Sequence, residues 1–276
     1  MSEKDNNNQI VAELDQDGAE VTEELAIDPT VLEDMLRAGV LYGRSKSRTH
    51  PKMRKYIEMT RNGIEIFDPS KTLEMLKAAG DFLKDVAKKN GSILLVSTLP
   101  ASKELVRSLA EKFGFPHVTN RWLGGILTNY KTLSQRLQYY MDLKADREMG
   151  KLEKYTKKER FGFDKKIARL TILFGGLEKY AGLPDALLVV DAEEHATAIR
   201  EANRLNIPVV CLMSSNSKPA SVDYVIPCNS GARSGVAWIL ERLEQALEQG
   251  QMEKQELTKI KDAKKPEEPA KEEPAK

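Results

Sequence analysis

Three short, uninterrupted apolar runs constrain this chain most: Ile93-Leu94-Leu95-Val96, Ala186-Leu187-Leu188-Val189-Val190 and Val209-Val210-Cys211-Leu212. A strand with one wet face alternates apolar and polar residues. A run that is apolar at every position belongs to a strand covered on both faces, as in parallel sheets wrapped by helices. Between and around the runs lie helical patterns. Asp28 can cap a short helix with Pro29 at its first position and Gly39 after its end. A second helix, starting from Ser70, carries Leu73, Leu76, Phe82, Leu83 and Val86 near helical spacing, and Asn90-Gly91 stops it. Further helices are expected over about 101–113, 194–205 and 234–249. Shorter strands are expected at Ile64–Phe67, after an Asn62-Gly63 turn, at 115–119 and at Tyr224-Val225-Ile226. Strands alternating with helices predict an α/β fold with a largely parallel sheet and right-handed crossovers.

That rhythm breaks between about 130 and 180. Tyr130, Leu133, Leu137 and Tyr140 are spaced three, four and three residues apart, and Phe163, Ile167, Leu170, Phe174 and Leu177 continue at four, three, four and three. The spacing predicts a coiled-coil seam on two arms of an antiparallel helical hairpin with a charged tip near Gly150. The expected organisation is a disordered acidic arm over 1–28, an α/β domain over 29–128 and 181–249, the hairpin as an insertion over 129–180, and a disordered, Pro-, Glu-, Ala- and Lys-rich tail over 250–276.

A net charge of +1 conceals strong segregation. Over 1–28, nine acids against Lys4 leave −8; over 37–61, eight cations against Glu58 leave +7; over 130–180, thirteen cations against seven acids leave +6. The segment 42–61 has Gly43, Ser45, Ser47, Thr49 and Pro51 among its cations, and reads as an extended surface loop. Such a loop is either merely solvated or binds an anionic partner. The second reading is favoured, because cations interleaved with Tyr42, His50 and Tyr56 suit irregular RNA with bases free to stack.

No stretch approaches the roughly 20 apolar residues of a membrane helix, and the N-terminus lacks the basic and apolar regions of a secretory signal, so a cytoplasmic chain without membrane contact is expected. Cys211 and Cys228 read as reduced, small apolar residues. No metal-ligand spacing appears, and neither G-x-G-x-x-G nor a Walker motif follows any strand. Gly231-Ala232-Arg233-Ser234-Gly235 is the best remaining anion loop, although a plain helix cap explains it better. His195 beside Glu194 has no nucleophile spaced to complete an acid–base site, and reads as a solvated helix-end residue. No cofactor and no catalytic residue is therefore expected. The competing reading is a nucleotide-dependent α/β enzyme with a helical insertion.

Between the strand at 115–119 and the first hairpin helix stands Arg121-Trp122-Leu123-Gly124-Gly125-Ile126-Leu127-Thr128-Asn129. Adjacent glycines permit close backbone approaches, and beside them sit a cation, an aromatic and an amide. Trp122 serves there either as a packing anchor, the favoured role, or as a stacking platform for a base. This stretch resembles the signature of the universal small-subunit ribosomal protein family numbered two. Collinear with it are Ala38-Gly39-Val40-Leu41-Tyr42-Gly43, Pro51-Lys52-Met53, Gly182-Leu183-Pro184-Asp185-Ala186, Asn206-Ile207-Pro208-Val209 and Val222-Asp223-Tyr224-Val225-Ile226-Pro227, so the resemblance covers about 31–249.

The resemblance implies a Rossmann-like or flavodoxin-like parallel sheet with an inserted coiled coil. It also implies a structural, non-catalytic place on the solvent side of the small ribosomal subunit. The partners implied are small-subunit ribosomal RNA, neighbouring ribosomal proteins and, in bacteria that have it, the large ribosomal protein numbered one. By match, Tyr42, Gly43, Pro51, Lys52, Met53, Arg61, Arg121, Trp122, Gly124, Gly125 and Asn129 fall in family motifs. The RNA-binding set expected from charge and resemblance together is Tyr42, Arg44, Lys46, Arg48, Lys52, Arg54, Lys55, Arg61, Arg121, Trp122, Asn129 and Lys131. The chain departs from the family at Leu41 and Arg44, where histidines are common, and at Leu99, where a lysine often stands. Its acidic arm also extends beyond the usual family start.

Overall fold

The computed structural model describes residues 28–263, with side chains described through 255. Asp28 caps α1 (Pro29–Ala38) by accepting from the Thr30 N–H, and Gly39 closes it with φ +70°, as the sequence predicts. A first departure follows. The basic segment expected to be a loop forms two strands, β1 (Tyr42–Ser45) and β2 (Ile57–Arg61), joined through two 3-10 turns. Both pair antiparallel with β3 (Ile64–Phe67), giving a small sheet of order β1-β3-β2. Composition hides these strands because both lie on edges. An edge strand needs no apolar alternation, and charge on it blocks pairing with another chain. The Asn62-Gly63 turn between β2 and β3 is built as expected, both residues taking positive φ.

α2 (Pro69–Lys88) is capped by Asp68 rather than Ser70, the Asp68 carboxylate accepting from the Ser70 and Lys71 N–H groups. Pro69 at the first position makes Asp68 the natural cap. β4 (Ile93–Val96), α3 (Lys103–Phe113) and β5 (His117–Val118) follow, then α4 (Tyr130–Glu148) and α5 (Lys157–Phe174). The chain then alternates β6 (Ala186–Val190), α6 (Ala196–Arg204), β7 (Val209–Met213), β8 (Tyr224–Pro227) and α7 (Arg233–Ala263).

The large sheet is parallel throughout, in the order β5-β4-β6-β7-β8. Counted among themselves the strands run 2-1-3-4-5, the flavodoxin-like order. Every residue of β4, β6 and β7 is buried. Since side chains alternate between faces, both faces are covered, as the apolar runs require. α2 packs along α7 and against β8. α7 runs on to Ala263, past the expected end near 249, so 250–263 is helix rather than disordered tail. Glu253 on that extension meets Lys84 at 2.5 Å and Lys88 at 2.9 Å, tying it to α2. The expected disorder of 1–27 and 264–276 lies outside the described residues.

α4 and α5 run antiparallel. The Tyr140 hydroxyl meets Thr171 at 3.2 Å, Lys166 donates to the Tyr139 hydroxyl at 2.6 Å, and Arg147 bridges Asp164 at 3.0 Å. Leu133, Leu137, Tyr140 and Leu143 of α4 are buried, with Ile167 and Phe174 of α5. At 19 residues α4 is about 28 Å long. Thr156 and Glu159 form a capping box that starts α5. At the root, Gly176 presses on β5, and a Cβ there would be driven into the His117 carbonyl and ring. Gly176→Ala is therefore expected to cost about 1–3 kcal/mol by overpacking, read as a lower urea midpoint. An unchanged midpoint would mean that the hairpin root yields freely.

Candidate nucleic-acid interface

The small sheet is fixed to the carboxyl-end rim of the large one by groups that leave its cations free. The Arg44 N–H donates to the Ser215 hydroxyl at 2.8 Å and the His50 N–H to the Ser215 carbonyl at 2.8 Å, just beyond β7. The Asn229 N–H, after β8, donates to the Val40 carbonyl at 2.8 Å. Gly43 has no room for a side chain, since a Cβ would lie 3.0 Å from the Ser215 hydroxyl and 3.1 Å from the Glu65 carbonyl. Buried Met53, Tyr56 and Phe67 pin the sheet to the core. The buried Glu65 carboxylate is satisfied by the Thr60 hydroxyl at 2.7 Å and the Thr49 hydroxyl at 3.4 Å.

With that anchoring, Arg44, Lys46, Arg48, Lys52, Arg54, Lys55 and Arg61 are all exposed, and none forms a salt bridge with a carboxylate among the described residues. Tyr42, 44% accessible, shows a ring beside them. The Lys55 ammonium lies over the Tyr56 ring at 4.6 Å, and the Arg44 guanidinium covers Gly231. The glycine loop considered as an anion site is thus closed over by a cation of the small sheet. Lys52 and Lys55 also edge a cavity of about 710 Å³ whose walls include Tyr56, Met75, Pro219 and Tyr224.

The second cluster follows β5, at the other edge of the same rim. Four strand spacings of about 4.8 Å separate β5 from β8, so roughly 19 Å divides the clusters. Arg121, Asn129 and Lys131 are exposed. Trp122 is half-buried against the core, and its indole N–H donates to Glu201 at 3.0 Å. Glu201 is the residue that sequence reasoning missed. Its carboxylate, 8% exposed, also accepts from the N–H groups of Gly125 (2.9 Å), Leu127 (3.2 Å) and Thr128 (3.3 Å) and from the Thr128 hydroxyl (3.1 Å). Gly125 takes φ +93°, and a Cβ on it would crowd Asn129 at 3.1 Å, so the loop closes only with glycine there. Burial by itself pushes the Glu201 carboxyl up, but the bonds from Gly125, Trp122, Thr128 and Leu127 outweigh it and hold the group below its usual range. A signal existed: Glu201 sits three residues from Ala198 and beside Ala202, an acid on the apolar face of α6.

Between the clusters, at the switch point of the sheet, a nucleotide enzyme would hold its phosphate. That place is filled. His195 is 2% exposed, which corrects the expectation of a solvated helix end. Its Nδ1 faces the Asp191 carbonyl at 2.9 Å, and Nε2 lies 3.1 Å from both the N–H and the hydroxyl of Thr98. The Ser230 hydroxyl donates to Asp191 at 2.8 Å, and Ser97 and Ser102 pair with each other. These side chains are hydrogen-bonded to one another and to the backbone around them. Cys211 and Cys228 are fully buried, and burial pushes both thiols up, so they act as apolar filling. Among the described residues no helix is long and apolar enough to cross a membrane.

The chain is thus a parallel α/β scaffold with hydrogen-bonded side chains at its switch point and two exposed cation clusters on its rim. The family described as Ribosomal protein S2 matches residues 35–250. A curated relative, the small ribosomal subunit protein uS2 of Hahella chejuensis (strain KCTC 2396), is 41% identical over 201 residues, covering 73% of this chain and 79% of that protein. The chain belongs to the ribosomal protein S2 family: it is a structural protein of the small subunit in the cytoplasmic ribosome, not an enzyme.

Proposed function

We propose that this chain binds small-subunit ribosomal RNA chiefly through the outer sheet, with Tyr42, Arg44, Lys46, Arg48, Lys52, Arg54, Lys55 and Arg61 as contacts. Arg121, Asn129 and Lys131 add a second contact at the hairpin root, and Trp122 supports that segment from behind. The reading keeps 29–128 and 181–249 as one α/β domain, and takes 129–180 as a coiled-coil arm that reaches a further part of the subunit. Neighbouring small-subunit proteins are the expected protein partners, with the large ribosomal protein numbered one in bacteria that have it.

The observation that carries this reading is the set of seven exposed cations, without carboxylate partners among the described residues, on the small sheet and the two 3-10 turns that join its edge strands, which are locked to the rim. Unpaired like charges on a rigid surface repel one another and gain nothing from folding, and an anionic polymer compensates them. Filter binding to small-subunit ribosomal RNA over a salt series tests it. Each phosphate contact releases counterions, so log affinity should fall against log salt with a slope on the order of four to six. A slope near zero would overturn the reading.

A further inference from the structure

The basic sheet has a complementary charge within its own chain. Residues 1–27 carry eight acids (Glu3, Asp5, Glu13, Asp15, Asp17, Glu20, Glu23 and Glu24) against Lys4, whereas 37–61 carries an excess of seven cations. The acidic stretch joins the described fold at Asp28, the cap of α1. α1 is ten residues, about 15 Å long. At its far end Gly39 lies against Tyr42, the first residue of β1, with a Cβ there standing 3.7 Å from the Tyr42 ring. The attachment point is thus about 15–20 Å from the sheet, and at roughly 3.3 Å per residue fewer than ten residues bridge that distance. A tethered segment acts at an effective concentration in the millimolar range.

We propose that residues 1–27 dock on the basic outer sheet when RNA is absent and compete with RNA phosphate for Arg44, Lys46, Arg48, Lys52, Arg54 and Lys55. The inference rests on reading the sheet as the RNA surface. The docked acids take the place of counterions, so RNA displaces protein carboxylates instead of salt. The arm therefore lowers RNA affinity most at low salt, where loose, sequence-independent binding is strongest. It leaves RNA that makes many simultaneous contacts able to displace it.

The test uses the full chain and a full-length variant in which the eight acids are changed to Gln or Asn. The first readout needs no RNA: rates of lysine acylation at Lys46, Lys52 and Lys55, followed by mass spectrometry at 20 mM and 500 mM salt. Docking predicts these lysines about threefold or more slower in the natural chain at low salt, converging at high salt, while Lys158 and Lys165 on the hairpin react alike in both proteins. The second readout is RNA binding. The neutralised variant should bind small-subunit ribosomal RNA about tenfold more tightly at low salt and with a steeper salt slope. That gain should vanish when Lys46, Arg48, Lys52 and Lys55 are also changed to Gln. Equal acylation at the three sheet lysines, or slowing shared by the hairpin lysines, would overturn the docking. Slow sheet lysines without salt-dependent RNA binding would keep the docking and overturn the RNA reading instead.

Discussion

Replacing Glu201 with alanine should destabilise the fold as much as removing a large buried side chain. The carboxylate collects five donors from one loop, three of them backbone N–H groups. Each donor left unpaired in a buried place costs about 1–3 kcal/mol, and water recovers part of this at the half-exposed Gly125 and exposed Thr128, so the net loss is about 3–5 kcal/mol. Glu201→Gln keeps one acceptor oxygen and should fall between. Trp122→Ala removes a packed ring and one of the five bonds, with an expected cost of about 3–5 kcal/mol. The two losses should not add, because each dismantles the same loop. The sign of the pH dependence follows from the lowered carboxyl. Its stabilisation is fully present above the ordinary glutamate value near 4.3 and is lost as pH falls through the lower folded value. Urea melts of the natural chain and Glu201→Gln should therefore differ most at neutral pH and converge as pH falls below the ordinary glutamate range. A gap that stays constant with pH would show that the ionised form contributes nothing special.

The second large effect concerns binding rather than folding. Changing Lys46, Arg48, Lys52 and Lys55 together to Gln is expected to flatten the slope of log affinity for small-subunit ribosomal RNA against log salt by up to about three units. All four side chains are exposed and none holds a carboxylate among the described residues, so stability should move by no more than about 0.5 kcal/mol per site. The sheet itself should survive, because its attachments are the Ser215 bonds, the backbone pairing with β3 and the buried Met53, Tyr56 and Phe67. Filter binding beside urea melts separates the two expectations. An unchanged slope with intact folding would move the RNA contact to Arg121, Lys131 and the hairpin.

What the sequence determined by itself was whatever depends on neighbours along the chain. Runs that are apolar at every position need cover on both faces, and this alone placed β4, β6 and β7 inside a parallel sheet. Heptad-like spacing picked out Leu133, Leu137, Tyr140, Ile167 and Phe174, which are buried, but passed over buried Leu143. Asp28, Pro29 and Gly39 marked both ends of α1, because caps act over a few residues. Charge segregation singled out the segment 42–61 for the same reason.

Tertiary structure decided what depends on groups far apart in sequence. Edge strands β1 and β2 carry no apolar alternation, so only pairing with β3 and the Ser215 anchor, more than 150 residues away, makes them strands. His195 reads as solvated from its neighbours, yet β4 brings Thr98 to it and buries both ring nitrogens in hydrogen bonds. Trp122 and Glu201 lie 79 positions apart, and neither sequence neighbourhood names the other. A hydrogen bond forms only where folding brings donor and acceptor within about 3 Å, and the packing of α6 beside the loop after β5 achieves this.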